Sequence, residues 1–145
     1  MPVRARLFER IWPKRILGPA ELGRAGEARA ARFFRLRGWR IVQRNLRTRD
    51  GEIDLVLRRG SRVVFVEVKT RQQTGMGEPH EAVDRRKQLR IIRMAERYLH
   101  QEKLRDLRVS FDVVSLFWTG RRFRLIHFPD AFIPVSDPLF PWRDR

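Results

Sequence analysis

Asp54, Glu67 and Lys69 are the residues whose types and spacing suit chemistry in this chain. They lie in two β-branched and leucine-rich runs, one through Glu52-Ile-Asp54 and one through Glu67-Val-Lys69, on either side of Gly60-Ser61. A glycine–serine pair between two such runs predicts a two-residue hairpin turn. Counting back from that turn, Arg59 faces Arg62, Leu57 faces Val64, Leu55 faces Val66 and Ile53 faces Val68. Beyond the arginines this face is apolar and is expected to be buried. On the other face Val56 meets Phe65, Asp54 falls opposite Glu67, and Glu52 falls opposite Lys69. Opposed side chains on antiparallel strands have Cβ atoms roughly 4.5–5.5 Å apart, and like charges there destabilise. Two such carboxylates need a bound cation, a shared proton or an exit to solvent. Mg²⁺ or Mn²⁺ prefers oxygen ligands and commonly takes one or two carboxylates plus waters and substrate phosphate. Lys69, one pleat along, suits holding an attacking water or stabilising charge on a phosphate. From register alone two readings stand open. One is a metal site. The other is structural charge pairing, with Glu52 and Lys69 an ordinary ion pair and the two acids at a wet strand end.

Gly51-Glu-Ile-Asp-Leu55 followed by Phe65-Val-Glu-Val-Lys-Thr-Arg71 resembles the YraN family of bacterial proteins. That family is grouped with the restriction-endonuclease-like, PD-(D/E)xK, nuclease superfamily and is similar in its core to archaeal Holliday-junction resolvases. The resemblance runs from about Gly23 to Phe132. It implies that Asp54 takes the place of the motif aspartate and that Glu67 and Lys69 take the Glu-x-Lys places. No proline precedes Asp54, where the superfamily pattern is named for one. Gly26-Glu27 looks like the first-helix motif of the resolvases, which implies a third carboxylate beside the metal. The other reading of Glu27 is an intrahelical partner for Arg24.

The chain has 145 residues, enough for one domain and one core. Its net charge of +16 argues for a polyanionic partner: DNA, RNA or an acidic membrane surface. An arginine-biased composition serving solubility competes with that reading. Only Lys14, Lys69, Lys87 and Lys103 are lysines among 33 basic residues, a mild sign that an ammonium is wanted at Lys69 and Lys87. The absence of cysteine excludes disulfides, thiol catalysis and thiolate zinc sites. His80, His100 and His127 lack ligand spacing. No apolar run approaches the roughly 20 residues a membrane helix needs, and no signal peptide is evident. The expectation is a cytoplasmic protein.

Residues 1–18 form a basic N-terminal extension, expected to be mobile. Residues 19–133 are expected to form one domain, and 134–145 a tail. Ala20 to Arg37 predicts a helix with Leu22, Ala25, Phe33 and Leu36 as its apolar stripe. Glu27 lies off that stripe, on the side of Ala30, Ala31 and Phe34. Trp39 to Asn45 predicts the first strand, ahead of the hairpin. Thr70 to Pro79 predicts a loop over the substrate, with Arg71 as a phosphate contact. His80 to Gln101 predicts a second helix with Ala82, Val83, Leu89 or Ile91, Ile92, Ala95, Tyr98 and Leu99 buried. Arg86, Lys87, Gln88 and Arg90 on its polar side are either a solvated face or a track for phosphates. The resemblance supports Lys87. Leu107 to Trp118 and Phe123 to Phe128 predict two further strands, with Thr119-Gly-Arg121 as the turn. Asp112 lies in a segment that looks like the family's Arg-Phe-Asp, as an outer ligand or a structural partner of basic side chains.

The expected architecture is α/β: a restriction-endonuclease-like core with a mixed central sheet flanked by helices. The expected function is metal-dependent DNA endonuclease activity. Asp54, Glu67 and the Val68 carbonyl would hold Mg²⁺ or Mn²⁺, Lys69 would position water, and Glu27 would complete the site. Glu52 is a secondary candidate. Branched or junction DNA is favoured through the resolvase resemblance alone, and cutting a junction requires two active sites, hence a homodimer. Two alternatives share the same charge. One is a non-catalytic nucleic-acid-binding module. The other is a membrane-surface or protein-interaction scaffold that uses the basic arm.

Overall fold

The computed structural model describes residues 14–73 and 83–132. Helix α1 spans Pro19–Arg35, and strands β1, β2 and β3 span Arg40–Thr48, Gly51–Arg59 and Arg62–Gln72. Helix α2 spans Arg85–Gln101, and strands β4 and β5 span Arg108–Trp118 and Phe123–Phe128. The strands form one mixed sheet in the order β1-β2-β3-β4-β5. All neighbours are antiparallel except β3 and β4, which run parallel and are joined by a crossover containing α2. The helices cover opposite faces. Ala30, Ala31 and Phe34 of α1 pack on Leu55, Leu57, Val64, Val66, Val114 and Leu116. Ile91, Ile92, Met94, Ala95 and Leu99 of α2 pack on Val56, Phe65, Phe111 and Val113. This is the α/β, restriction-endonuclease-like arrangement that the resemblance implies.

The hairpin forms where the turn chemistry places it. Gly60 has φ 59, as a glycine at the first central position of a two-residue turn requires. Arg59–Arg62, Leu57–Val64, Val56–Phe65 and Leu55–Val66 pair as counted from the sequence. The ladder then stops, short of Asp54. Ile53 does not face Val68: it joins the α2-side core, whereas Val68 packs on the α1 side. A register shift in β1 between Ile41 and Gln43, and a left-handed φ of 48 at Asn45, accompany this change along β1 and β2.

Two further expectations are corrected. The buried side of α1 carries Leu22, Gly26, Ala30, Ala31 and Phe34, not Ala25 and Leu36. Leu36 is 69% exposed. Small residues decide this: Gly26, Ala30 and Ala31 let the helix axis approach the sheet, and large side chains in their place would hold it off. The corrected face is the side of the helix on which Glu27 lies. In α2, helical backbone begins at Arg85, because Asp84 is an N-cap whose carboxylate accepts the Lys87 N–H at 3.0 Å. Residues 80–82 of the expected helix, and residues 74–79 of the expected loop, lie outside the described residues. Residues 70–72 continue β3. Of the N-terminal extension, residues 14–18 are described. The Arg15 N–H donates to the Gly120 carbonyl at 2.8 Å, and the Trp118 indole donates to the Arg15 carbonyl at 2.7 Å.

Candidate metal and nucleic-acid site

Where the hairpin ladder stops, the backbone of β3 is left with an unpaired donor. The Asp54 side chain takes it. Its Oδ2 accepts the Val68 N–H at 2.7 Å, so a carboxylate of β2 replaces a β2 carbonyl in the sheet. Burial, and next the Glu67 carboxylate, push the Asp54 acid up from an ordinary 3.8 to about 7. Glu27 and Glu52 push in the same direction, and the Val68 N–H opposes them. Asp54, Glu67, Glu27 and Glu52 therefore share one negative locus, drawn from α1, β2 and β3. The counted pairings Asp54–Glu67 and Glu52–Lys69 are not part of the ladder, but Asp54 and Glu67 still lie close enough to interact electrostatically.

Opposite charge arrives from α2. Lys87 Nζ forms an ion pair with Glu67 Oε1. The Asp84 cap fixes the first turn of α2 and with it the base of the Lys87 side chain. Gln88 Nε2 donates to the Val83 carbonyl at 2.7 Å, which ties the chain before the helix to its first turn. Gln88 thus secures the helix start. Arg86 and Arg90 are exposed on α2. Glu52 pairs with Arg47 of β1 at 3.4 Å, its cross-strand neighbour. Lys69 is half-buried in β3, and Arg71 is exposed two residues further on.

Of these groups Glu52, Asp54, Glu67, Lys87 and Arg90 border a cleft of about 250 Å³ between β2, β3 and α2, whereas Glu27, Lys69, Arg71, Arg86 and Gln88 are not in its lining. Its polar wall is Asp50, Glu52, Asp54, Glu67, Lys87 and Arg90, and Ile91 and Met94 supply an apolar wall. The sequence does not single out Asp50 or Met94. Asp50 lies 3.4 Å from Arg97 of α2. Asp50-Gly51 has the look of an ordinary turn, and nothing local signals that its carboxylate faces the cleft.

Among the described residues no three acidic or histidine side chains converge as a metal-ligand group. The donor chemistry still fits a divalent ion of the Mg²⁺ kind. Such an ion keeps several waters and needs only one or two carboxylates. Asp54, with its acidity weakened by burial first and by neighbouring carboxylates next, is a group that a cation would favour in its ionised form.

Asp112 lies elsewhere. It alternates with Phe111 and Val113 and so points to the α1 side of the sheet. It is 5% exposed, and its carboxylate meets His127 Nε2 at 2.7 Å and accepts the Asp130 N–H at 3.1 Å. His127 packs edge-on against Phe33 and Phe34 of α1. Asp112 thus anchors the end of β5 and the turn after it. Asp112→Ala is expected to lower stability by about 1–2 kcal/mol, since it orphans a part-buried N–H and a part-buried ring nitrogen. Chemical denaturation checks this. A variant of unchanged stability that has lost divalent-ion affinity would instead make Asp112 part of the site.

Among the described residues no helix is long and apolar enough to cross a membrane. The model for the uncharacterised protein family UPF0102 matches residues 26–116, from Gly26 in α1 to Leu116 in β4. A UPF0102 protein of Syntrophotalea carbinolica is 44% identical over 111 residues, covering 77% of this chain and 90% of the relative. One of Myxococcus xanthus is 42% identical over 112 residues, covering 77% and 89%. One of Hahella chejuensis is 41% identical over 120 residues, covering 82% and 95%. The matched region holds both halves of the hairpin, the cleft and the helix that supplies Lys87, and the chain belongs to the UPF0102 (YraN) family.

Proposed function

We propose that this chain is a metal-dependent DNA endonuclease that hydrolyses phosphodiester bonds. The observation that carries the reading is Asp54. It is hydrogen-bonded to the Val68 N–H, raised to about 7 by burial and three carboxylates, and set in a cleft that cations enter from α2. A fold gains nothing in stability from such a locus, which is the usual mark of a functional one. Mg²⁺ or Mn²⁺, when bound, supplies Lewis acidity and neutralises charge on the scissile phosphate. Asp54 and Glu67 would hold it, with the Val68 carbonyl and Glu27 completing the set. Lys69 orients the water that attacks phosphorus. Arg71, Arg86, Lys87 and Arg90 grip neighbouring phosphates. Branched or junction DNA is the substrate class to which the resolvase resemblance points, and a homodimer would bring two sites to one junction.

The Lys87–Glu67 ion pair favours a second reading, a non-catalytic nucleic-acid-binding module. There the lysine permanently replaces the metal as the counter-charge of Glu67. Labelled single-stranded, duplex, flap and four-way-junction DNA separate the two. Under the nuclease reading, wild type with Mn²⁺ or Mg²⁺ yields products that chelation abolishes, and Lys69→Ala lowers the rate at least ~100-fold with binding retained. Tight binding of these DNAs by wild type, with no metal-dependent product from any, establishes the module instead.

A further inference from the structure

The end of the sheet away from the cleft carries arginine on four neighbouring strands. Arg40 of β1 pairs with Arg58 of β2, Arg59 of β2 with Arg62 of β3, and Arg62 with Arg108 of β4. Like charges directly opposite one another destabilise a sheet, and here Arg40 and Arg58 oppose each other on the α2 side of the sheet end while Arg59, Arg62 and Arg108 stand side by side on its α1 side. Among the described residues none of these five arginines has a carboxylate within 4 Å. Glu102 and Asp106 are the acids of the adjoining loop, residues 102–107, and Lys103 and Arg105 offset them. Arg40, Arg59, Arg62 and Arg108 are exposed. The row is also pre-shaped. The Arg59 guanidinium lies 4.4 Å from the centroid of a Trp39 ring, and that of Arg62 lies 5.4 Å from it. Arg59 further donates to the Arg37 carbonyl at 2.8 Å. Stacking on an indole holds a guanidinium in place and leaves its outer N–H fork open.

We propose that this arginine row is a second nucleic-acid-binding surface, which grips the phosphate backbone of a strand lying across the sheet end. Four strands at ~4.8 Å spacing span roughly 14 Å, about the axial rise of four base pairs at ~3.4 Å each. Five residues of β3 separate Arg62 from Glu67, or about 17 Å at ~3.3 Å per residue. One nucleic acid can therefore reach the row and the cleft together, and the row sets where along it the cleft sits. A flat lipid headgroup layer offers the same charge. Leu36 is exposed three residues before Trp39, so the choice of a strand rests on the arginines, which reach out from both sides of the sheet end and can bracket a backbone there.

The proposal shares the nucleic-acid partner of the proposed function but not its chemistry, so binding is measured on the full chain in EDTA, where failure to cleave plays no part. The variant is Arg40→Gln/Arg62→Gln/Arg108→Gln, whose replaced side chains make no hydrogen bond among the described residues. The charge-matched control is Arg24→Gln/Arg29→Gln/Arg32→Gln on the exposed side of α1. Fluorescence anisotropy with labelled duplex and branched DNA across a salt series is expected to show Kd raised at least ~10-fold by the row variant. The slope of log K against log salt should fall by about 2.7, or ~0.9 per lost phosphate. The control should change Kd less than about threefold. The row variant's Tm at low salt should hold or rise, since like-charge repulsion is relieved. Equal losses in both triples would reduce the row to its share of net charge and overturn the proposal. So would an unchanged DNA affinity together with lost binding to phosphatidylserine vesicles, which would assign the row to lipid.

Discussion

Asp54→Asn is expected to abolish metal-dependent cleavage and, in the same molecule, to stabilise the fold at pH 8. The first effect follows from removing an anionic ligand and should exceed ~100-fold in rate. The second follows from the acid's position above pH 3.8 in the fold, at about 7. Below pH 4 Asp54 is protonated both folded and unfolded, and it costs nothing. Between 4 and 7 the unfolded chain gives up this proton while the folded one keeps it, so stability falls as pH rises. Above 7 the full cost is present. At ~1.4 kcal/mol per pH unit, a rise of this size is of order 4 kcal/mol, before relaxation and solvent access reduce it. Asparagine keeps an oxygen that can accept the Val68 N–H and carries no charge into the carboxylate cluster. Thermal unfolding should therefore give a Tm higher than wild type by of order 10 °C at pH 8, and nearly unchanged at pH 4. Millimolar Mg²⁺ or Mn²⁺ at pH 8 should raise the wild-type Tm and leave that of Asp54→Asn alone. A variant less stable than wild type at pH 8 would make Asp54 a structural acid and remove the basis of the metal site.

The same residues show what a sequence does and does not make legible. The hairpin register from Arg59–Arg62 to Leu55–Val66 could be counted, because a two-residue turn and a two-residue side-chain period leave one solution. The count failed at Ile53, because Asp54 takes the Val68 N–H and ends the ladder. Period alone cannot announce that a side chain will replace a backbone partner. The carboxylate cluster was legible in type and approximate place. The identity of its counter-cation was not: Lys87 pairs with Glu67 across the parallel crossover, and that contact depends on how α2 docks. The cap that aims Lys87 was present as Asp84-Arg-Arg-Lys87, an aspartate three residues ahead of the residue whose N–H it accepts. It was obscured by a helix read as starting at His80. In α1 the largest side chains misled. Leu36 is large and exposed, whereas the packed face sets Gly26, Ala30 and Ala31 between Leu22 and Phe34, and the value of those small residues lies in allowing close approach. Hydrophobicity ranks side chains by what they bury, and such a face is chosen for what it leaves out.

That close approach carries the second large expectation, a pair of opposite effects from one substitution made at two glycines of α1. A Cβ placed on Gly26 would lie 2.0 Å from Thr70 Oγ1, 2.7 Å from Cγ2 and 2.9 Å from Cβ. Thr70 cannot turn away, since its Cβ is fixed to β3 and every rotamer keeps it there. The helix must retreat or β3 must bend, and Gly26→Ala should cost about 2–4 kcal/mol. A Cβ on Gly23, one turn earlier, meets nothing within 4 Å. Gly23→Ala should therefore stabilise by about 0.5–1 kcal/mol through helix propensity alone. Urea denaturation of both variants gives the comparison. Thr70→Ala removes the two nearer contacts and leaves the 2.9 Å one, so the double variant Gly26→Ala/Thr70→Ala should recover part of the loss, with a coupling of about 1 kcal/mol or more. The consequence reaches the site because Glu27 follows Gly26 and is among the charges that hold Asp54 at about 7. A helix pushed off β3 carries that carboxylate with it. Gly26→Ala should then weaken Mn²⁺ affinity, measured by calorimetry, while Gly23→Ala leaves it unchanged. Equal stability in the two alanine variants would mean that α1 does not sit tightly on β3, and Glu27 would lose its claim to a place in the site.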